Sequence, residues 1–297
     1  MRHLFALIII VFPALGHANL NVFACEREWA ALAEEIGGAH VTSYSATTAL
    51  QDPHYIQARP SLIAKVRRAD LVICSGAQLE IGWLPALLQK ANNRAVRPGS
   101  PGYMEASSHV IRLDATGIVD RAQGDIHPYG NPHIQTNPHN ITVIAAELSR
   151  RMMQLDPSNA SAYKERHRIF STRWQQAIAA WEAKAEPLRG TRVITHHKSW
   201  VYLERWLGLE EAGNLEAIAG LPPTATHLSQ LTKKFTDGGA DIIIRSPYQD
   251  DKPSVWLSER TGIPAIVLPL TVGGTANVTS LFELYDDIIV RLLGASQ

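Results

Sequence analysis

From Ser158 to Glu186 the chain carries neither glycine nor proline, and this uninterrupted stretch constrains the fold more than any other feature. Tyr163, Phe170, Trp174, Ile178 and Trp181 recur along it at spacings of three, four or seven residues, the period of one apolar stripe on a helix. Asp156-Pro157 precedes it as a start signal. At about 1.5 Å per residue such a helix is roughly 40 Å long, enough to run beside two lobes rather than inside one. On either side of it, short apolar runs alternate with helical patterns, the sequence form of a parallel sheet covered by helices. Before it, strands are expected over residues 19–25, 41–44, 71–74 and 110–113, with helices over 29–36, 61–68 and 80–90. After it, strands over 191–195, 209–215, 241–244 and 263–268 alternate with helices over 200–207, 227–235, 253–260 and 281–293. The expected fold class is α/β: two lobes, 19–155 and 191–297, each a four-stranded parallel sheet flanked by helices and joined by one long helix over 156–190. Pro98, Gly99, Pro101, Gly102, Gly117 and Gly124 mark most of the stretch from residue 92 to 130 as loop.

Composition narrows what such a fold would bind. The 28 basic and 28 acidic side chains cancel, so the chain lacks the basic excess that neutralises nucleic-acid phosphates. Charged residues at 19% beside 45% hydrophobic ones describe a packed protein rather than a disordered one. Two cysteines allow one bridge, but neither a disulfide framework nor a four-thiolate metal site. A metal bound here would depend on imidazoles. Residues 1–18 carry Arg2, an apolar run from Leu4 to Leu15 and then Gly16-His17-Ala18, the layout of a secretory signal peptide cleaved after Ala18. That run falls short of the about 20 apolar residues needed to span a bilayer, and no cysteine stands at the cut to carry a lipid.

In open parallel sheets, ligands bind beyond the carboxyl ends of the strands. His54 of Asp52-Pro53-His54 follows the second expected strand, His133 of Gly130-Asn131-Pro132-His133 follows the fourth, and His196-His197 end the first strand of the second lobe. Taken singly, a loop histidine is more often a solvated or hydrogen-bonded residue than a ligand. Three at corresponding strand ends, two of them held after proline, point to a shared site.

These segments, taken in order, resemble the zinc and manganese receptors among the solute-binding proteins of bacterial ABC importers. The resemblance rests on Asp52-Pro53-His54 with Ser61, on Ala69-Asp70-Leu71-Val72 running into Gly76 and Leu79-Glu80, and on Gly130-Asn131-Pro132-His133 with Asn137-Pro138. Thr195-His196-His197 with Trp200 and Tyr202, and Gly220-Leu221-Pro222-Pro223, complete it. It implies two lobes joined by one backbone helix, a metal ion between them, and ligation by His54, His133 and His197. His196 is then a neighbour of the site, and His127 and His139, which flank the His133 loop, are candidates for extra ligands. The implied function is a periplasmic receptor, expected to work as a monomer, that hands a zinc ion to the membrane permease of an importer and is not an enzyme.

Two departures stand out. The family's acidic fourth ligand precedes a Pro-Leu pair, and here Leu268 precedes Pro269-Leu270; Arg245-Ser246 close the strand expected at 241–244 where a glutamate is also missing. The last position is left to water or to an unrecognised donor such as Asp250, and the loss favours zinc over manganese, because imidazole suits the first and carboxylate oxygen the second. Three histidines and a water also describe a catalytic zinc, so a zinc-dependent hydrolase is the rival reading. It lacks a named base or nucleophile, since neither a His-Glu-x-x-His helix nor a Gly-x-Ser-x-Gly elbow is present.

Cys25 and Cys74 end the first and third expected strands. In a sheet of order 2-1-3-4 these strands are neighbours about 4.8 Å apart, within reach of a disulfide if the two residues are in register. The alternative is a pair of buried thiols packing as small apolar groups.

Overall fold

The structure is a computed structural model and describes residues 19–117, 124–125 and 127–296; the expected signal segment, 1–18, lies outside the described residues. The first sheet contains β1 (Leu20–Ala24), β2 (Val41–Ser45), β3 (Leu71–Cys74) and β4 (Tyr103–Glu105) in the order β2-β1-β3-β4, all parallel. The second contains β5 (Arg192–Thr195), β6 (Glu210–Asn214), β7 (Ile242–Arg245) and β8 (Ala265–Val267) in the order β6-β5-β7-β8, again all parallel. All four residues of the inner strand β3, Leu71-Val72-Ile73-Cys74, are buried, as befits a strand covered by helices on both faces. The flanking helices are α1 (Arg27–Gly37), α2 (Pro60–Arg67), α3 (Leu84–Ala91), α4 (Pro138–Leu155), α6 (Val201–Leu207), α7 (Ala225–Phe235), α8 (Lys252–Thr261) and α9 (Leu281–Ala295).

The long helix, α5 (Ala160–Ala185), is 26 residues, and Tyr163, Phe170, Trp174, Ile178 and Trp181 form its buried stripe. That stripe serves both lobes. Trp174 packs its indole against Phe282 and Tyr285 of α9, at 4.9 and 5.4 Å between ring centroids. Arg166, further along α5, donates to the Glu35 carbonyl of α1.

Two expectations need correction. Residues 110–113 form no strand: the fourth strand is β4, which pairs with β3 through Val72–Tyr103, Ile73–Met104 and Cys74–Glu105. A three-residue edge strand needs only one core side chain, here Met104, and leaves no periodicity to read. Val110-Ile111-Arg112-Leu113 looked more strand-like, yet Ile111 is 80% exposed. The Leu113 N–H donates to Tyr202 Oη, and its carbonyl accepts from Asn131 N–H, so the segment ties the lobes together instead of widening a sheet. Helix α4 was not anticipated. Asn137 caps it by accepting from the His139 N–H, Pro138 follows in its first turn, and Ile141, Ile144, Ala145, Leu148 and Met152 form its buried face, a combination of start signal and period that identifies a helix.

Cys25 and Cys74 are bridged, with Cα atoms 4.8 Å apart. The bridge lies at the carboxyl end of the first sheet, where Cys25 N–H also donates to the Ile73 carbonyl.

Beside the bridge, Glu26, Glu28 and Glu80 are buried, and among the described residues none of them has a cationic partner in an ion pair. Glu28 accepts from Thr271 Oγ1 across the lobes at 2.6 Å. Burial pushes its carboxyl up to about 7 against the opposing pull of that bond. A carboxyl whose folded pKa exceeds its unfolded one favours folding below the unfolded value, and the contribution is lost as pH rises through the folded value. Glu28→Gln, which keeps an acceptor for Thr271, should therefore raise stability by about 3 kcal/mol at pH 8, most of the gain being lost by pH 4.5. Urea unfolding at the two pH values measures it; an equal change at both would assign the effect to packing instead.

Candidate metal centre

The carboxyl ends of the two sheets face one another, and His54, His133 and His197 converge there. One ligand atom from each lies within 4.8 Å of the other two, and the three are 8%, 1% and 6% exposed. Ring centroids are 5.7 Å apart for His54–His133 and His54–His197, and 5.8 Å for His133–His197. Each ring arrives from a loop next to a strand or helix: His54 beyond β2, His133 just before α4, and His197 two residues beyond β5.

The Asx-Pro-His sequence explains how two of them are aimed. Asp52 Oδ1 accepts the N–H of His54 at 3.0 Å, and Asn131 Oδ1 accepts that of His133 at 3.0 Å. Both are turns in which the side chain before proline replaces a backbone acceptor. Each loop is then fixed from outside: Trp83 Nε1 donates to the Pro53 carbonyl at 2.9 Å, and Tyr202 Oη donates to the Asn131 carbonyl at 2.7 Å. Asn131 Nδ2 reaches the Lys198 carbonyl at 2.7 Å, which binds the His133 loop to the His197 loop across the lobes. The same turn recurs at Asn137-Pro138-His139, but there it starts α4, and the His139 ring turns away to Glu182 at 2.8 Å. The motif alone does not make a ligand.

The tautomers follow from the acceptors. His54 Nδ1 lies 2.6 Å from Asp52 Oδ1, and His197 Nδ1 lies 2.7 Å from Glu216 Oε2. Ionised carboxylates only accept, so each Nδ1 carries a hydrogen and Nε2 is the ring nitrogen left to face the site. Burial raises the Asp52 carboxyl, but the bonds and charge of His54 outweigh it and hold Asp52 below the usual carboxylate range. His133 Nε2 is buried with no hydrogen-bond partner. Burial, then the nearby His54, His197 and His127, drive the His133 ring well below the usual imidazole value and keep it neutral. An unpartnered buried nitrogen on His133, beside two rings whose Nδ1 is fixed by a carboxylate, is an arrangement suited to receive a cation.

Glu216 was missed by sequence reasoning. It directly follows Leu215 at the carboxyl end of β6, so the strand-end rule that found the histidines applies to it as well. The Gly220-Leu221 segment holds it in place, with the Gly220 N–H donating to Glu216 Oε2 at 2.7 Å. His196 stays outside the three: its Nδ1 is buried without a partner, and its Nε2 lies 3.8 Å from Glu216. Asp250 is not gathered in either; it accepts from the Lys252 N–H. His127 lies close to the site, its Nε2 3.2 Å from His54 Nε2 and its Nδ1 3.2 Å from the Ala77 carbonyl. Burial, then the charges of His54 and His197, push its ring down to about 3.

Two parallel-sheet lobes whose binding edges bring three imidazoles together have the architecture of a solute receptor. The chain belongs to the family described as zinc-uptake complex component A, periplasmic (ZnuA), which it matches over residues 22–293. This is a family of metal-binding receptors for ABC transporters, with a divalent metal as cargo and a membrane permease as partner, and not of enzymes; the hydrolase reading is set aside. The metal ABC transporter substrate-binding lipoprotein SloC of Streptococcus mutans is 22% identical over 279 residues, covering 89% of this chain and 88% of its own. The manganese ABC transporter substrate-binding lipoprotein PsaA of Streptococcus pneumoniae is 22% identical over 268 residues, covering 86% and 84%. Among solved structures, a crystal structure of ZnuA superposes with a TM-score of 0.79 at 18% identity, covering 94% of this chain and all of that one. The manganese-bound periplasmic metal binding protein of Candidatus Liberibacter asiaticus follows the same fold, with a TM-score of 0.75 at 16% identity over 93% and 99% of the two chains.

Proposed function

We propose that this protein is a zinc receptor of the periplasm. Exported behind a signal segment cut after Ala18, it works as a monomer that binds one zinc ion through His54, His133 and His197 and delivers it to an ABC importer. The lobes of the mature chain are 19–155 and 191–297, joined by 156–190. The observation that carries the choice of metal is the donor set. The three converging groups are all imidazoles, and the nearby carboxylates of Asp52 and Glu216 are engaged with the Nδ1 side of those rings. Manganese prefers carboxylate, carbonyl and water oxygen, whereas imidazole suits zinc. At the position of the family's acidic ligand, Leu268 is fully buried and offers no donor.

The test is made in the host. Deleting the gene should slow growth in chelator-treated medium, and added zinc, but not added manganese, should restore it. Protein recovered from the periplasm should carry about one zinc per chain by elemental analysis. Recovery with manganese as the bound metal, or rescue by manganese alone, would overturn the zinc assignment.

A further inference from the structure

We propose that the bridge between Cys25 and Cys74 closes a second metal site, and that with both sulfurs reduced Cys25, Cys74 and Glu80 bind zinc as a buried set of two thiolates and a carboxylate. The inference is independent of the three-histidine reading. One ligand atom from each of these residues lies within 4.8 Å of the other two, the same span that gathers His54, His133 and His197. Among the described residues only these two sets of three converge in this way. The sheet, and not the bond between the sulfurs, brings the cysteines together. β1 and β3 are paired up to Ala24–Ile73, and the Cys25 N–H donates to the Ile73 carbonyl at 2.9 Å. The Cα atoms of Cys25 and Cys74 are 4.8 Å apart, the ordinary spacing of neighbouring strands, so the thiols stay side by side without the bridge. Two thiolates bound at about 2.3 Å to one tetrahedral zinc lie about 3.8 Å apart, a separation that neighbours on one face of a sheet reach by a turn of χ1.

Glu80 is delivered to the cysteines by a turn that costs energy to make. Gly76, Ala77 and Gln78 have φ of 76°, 49° and 70°, the left-handed region that is unfavourable for the two residues carrying a Cβ. The turn leads the chain back to the end of β3, where both Glu80 carboxyl oxygens accept the Gly76 N–H at 3.2 Å. Both sulfurs are fully buried, and Glu80 is 2% exposed. Glu26, next to Cys25, accepts from Ser75 through Oε2 and keeps Oε1 buried without a partner. Buried carboxylates are normally paired with a cation or bound to a metal, and among the described residues neither Glu26 nor Glu80 forms an ion pair. Thiolate sulfur selects zinc over the harder manganese. Opening the bridge takes two electrons and two protons from a dithiol, which closes into its own disulfide. The two thiols then pass their protons to solvent as two zinc–sulfur bonds form. A disulfide oxidant reverses the sequence: the thiolates give up two electrons, the sulfur–sulfur bond returns and zinc leaves. Bridge formation thus leaves the receptor one site instead of two.

Cobalt(II), a coloured stand-in for zinc, tests this in the mature chain. Because neither sulfur is exposed, the chain is reduced while unfolded, then refolded and freed of dithiol without air. Expected are two cobalt ions per reduced wild-type chain, one of them with thiolate-to-cobalt absorption, against one ion and no such absorption in the oxidised chain. Reduced His133→Ala should keep the thiolate-bound ion, and Cys25→Ala/Cys74→Ala should lose it. Reduced Glu80→Gln should bind that ion more than about tenfold more weakly. In reduced His133→Ala, zinc should also raise the Tm and slow the return of the bridge under an oxidant. A reduced His133→Ala chain that cobalt neither colours through sulfur nor stabilises, whether or not it folds, overturns the second site. Thiolate-bound cobalt of unchanged affinity in Glu80→Gln overturns the donor set. An oxidised wild-type chain that binds no ion would count against the three histidines alone.

Discussion

Alanine at His54, His133 or His197 is expected to weaken zinc binding by more than about 100-fold at each position, while alanine at His109 or His227 leaves it unchanged. The scale follows from partners one step removed from the ion. Groups that orient a ligand typically cost 10–100-fold when altered, so the ligand itself must cost more. Asp52→Asn and Glu216→Gln, which disturb the Nδ1 acceptors of His54 and His197, should fall in that intermediate range. The controls are chosen for chemistry rather than distance. His227 already spends its Nε2 on the Asn214 carbonyl at 2.9 Å. His109 resembles His133 in having a buried Nε2 without a partner, and burial lowers its pKa as well. It differs in that, among the described residues, no second histidine ring packs against it as His54 and His197 pack against His133. Competition with a chromophoric chelator gives the affinities, and circular dichroism confirms that each variant is folded. Equal losses at all five positions would mean that the measurement reports folding or surface binding, and the assignment would fail.

That contrast between His109 and His133 also marks how much of the site could be read from residues alone. Histidines beyond strand ends were visible because the alternation of β3 with its neighbouring helices fixes which end of the sheet is which, and Pro53 and Pro132 flagged ordered turns. Asn137-Pro138-His139 has the same local code and leads nowhere near the metal, since only the tertiary fold decides which turn faces inward. Glu216 was legible by the same strand-end rule and was overlooked because an acid after a strand is common on any surface. His127 and His139 both stood out as candidate extra ligands flanking the His133 loop, and local sequence could not rank them: the loop of His127 has no period, and the placement of its ring depends on a backbone carbonyl, Ala77, which no residue type encodes. The misplaced fourth strand has a related cause. An edge strand as short as Tyr103–Glu105 contributes so little burial that its apolar pattern falls below that of the loop following it. Helix α4, by contrast, combines a cap, a proline and an apolar face, all of them local signals that were there to be read.

Removing the bridge between Cys25 and Cys74 should cost about 4 kcal/mol, the closure entropy of a loop with a sequence separation of 49 in the chain-entropy model. For a chain of this size that corresponds to a fall in Tm of about 10 °C. The double variant Cys25→Ala/Cys74→Ala is the clean form of the experiment. Simple reduction would leave two thiols beside Glu80, a group whose ligand atoms also lie within 4.8 Å of one another and which would compete for the ion as soft thiolates. The bridge acts chiefly on the unfolded chain. In the folded state β1 and β3 are already paired through Val22–Leu71, Phe23–Val72 and Ala24–Ile73, and the Cys25 N–H to Ile73 carbonyl bond at 2.9 Å extends that ladder to the bridge itself. The binding loops beyond those strands should therefore keep their geometry, and the zinc affinity of the folded double variant should stay within about threefold of wild type, less than the loss from any single orienting contact. Denaturant unfolding and zinc titration of the same preparation separate the two effects. A large loss of affinity with unchanged stability would show instead that the bridge holds the binding edge of the first lobe in place.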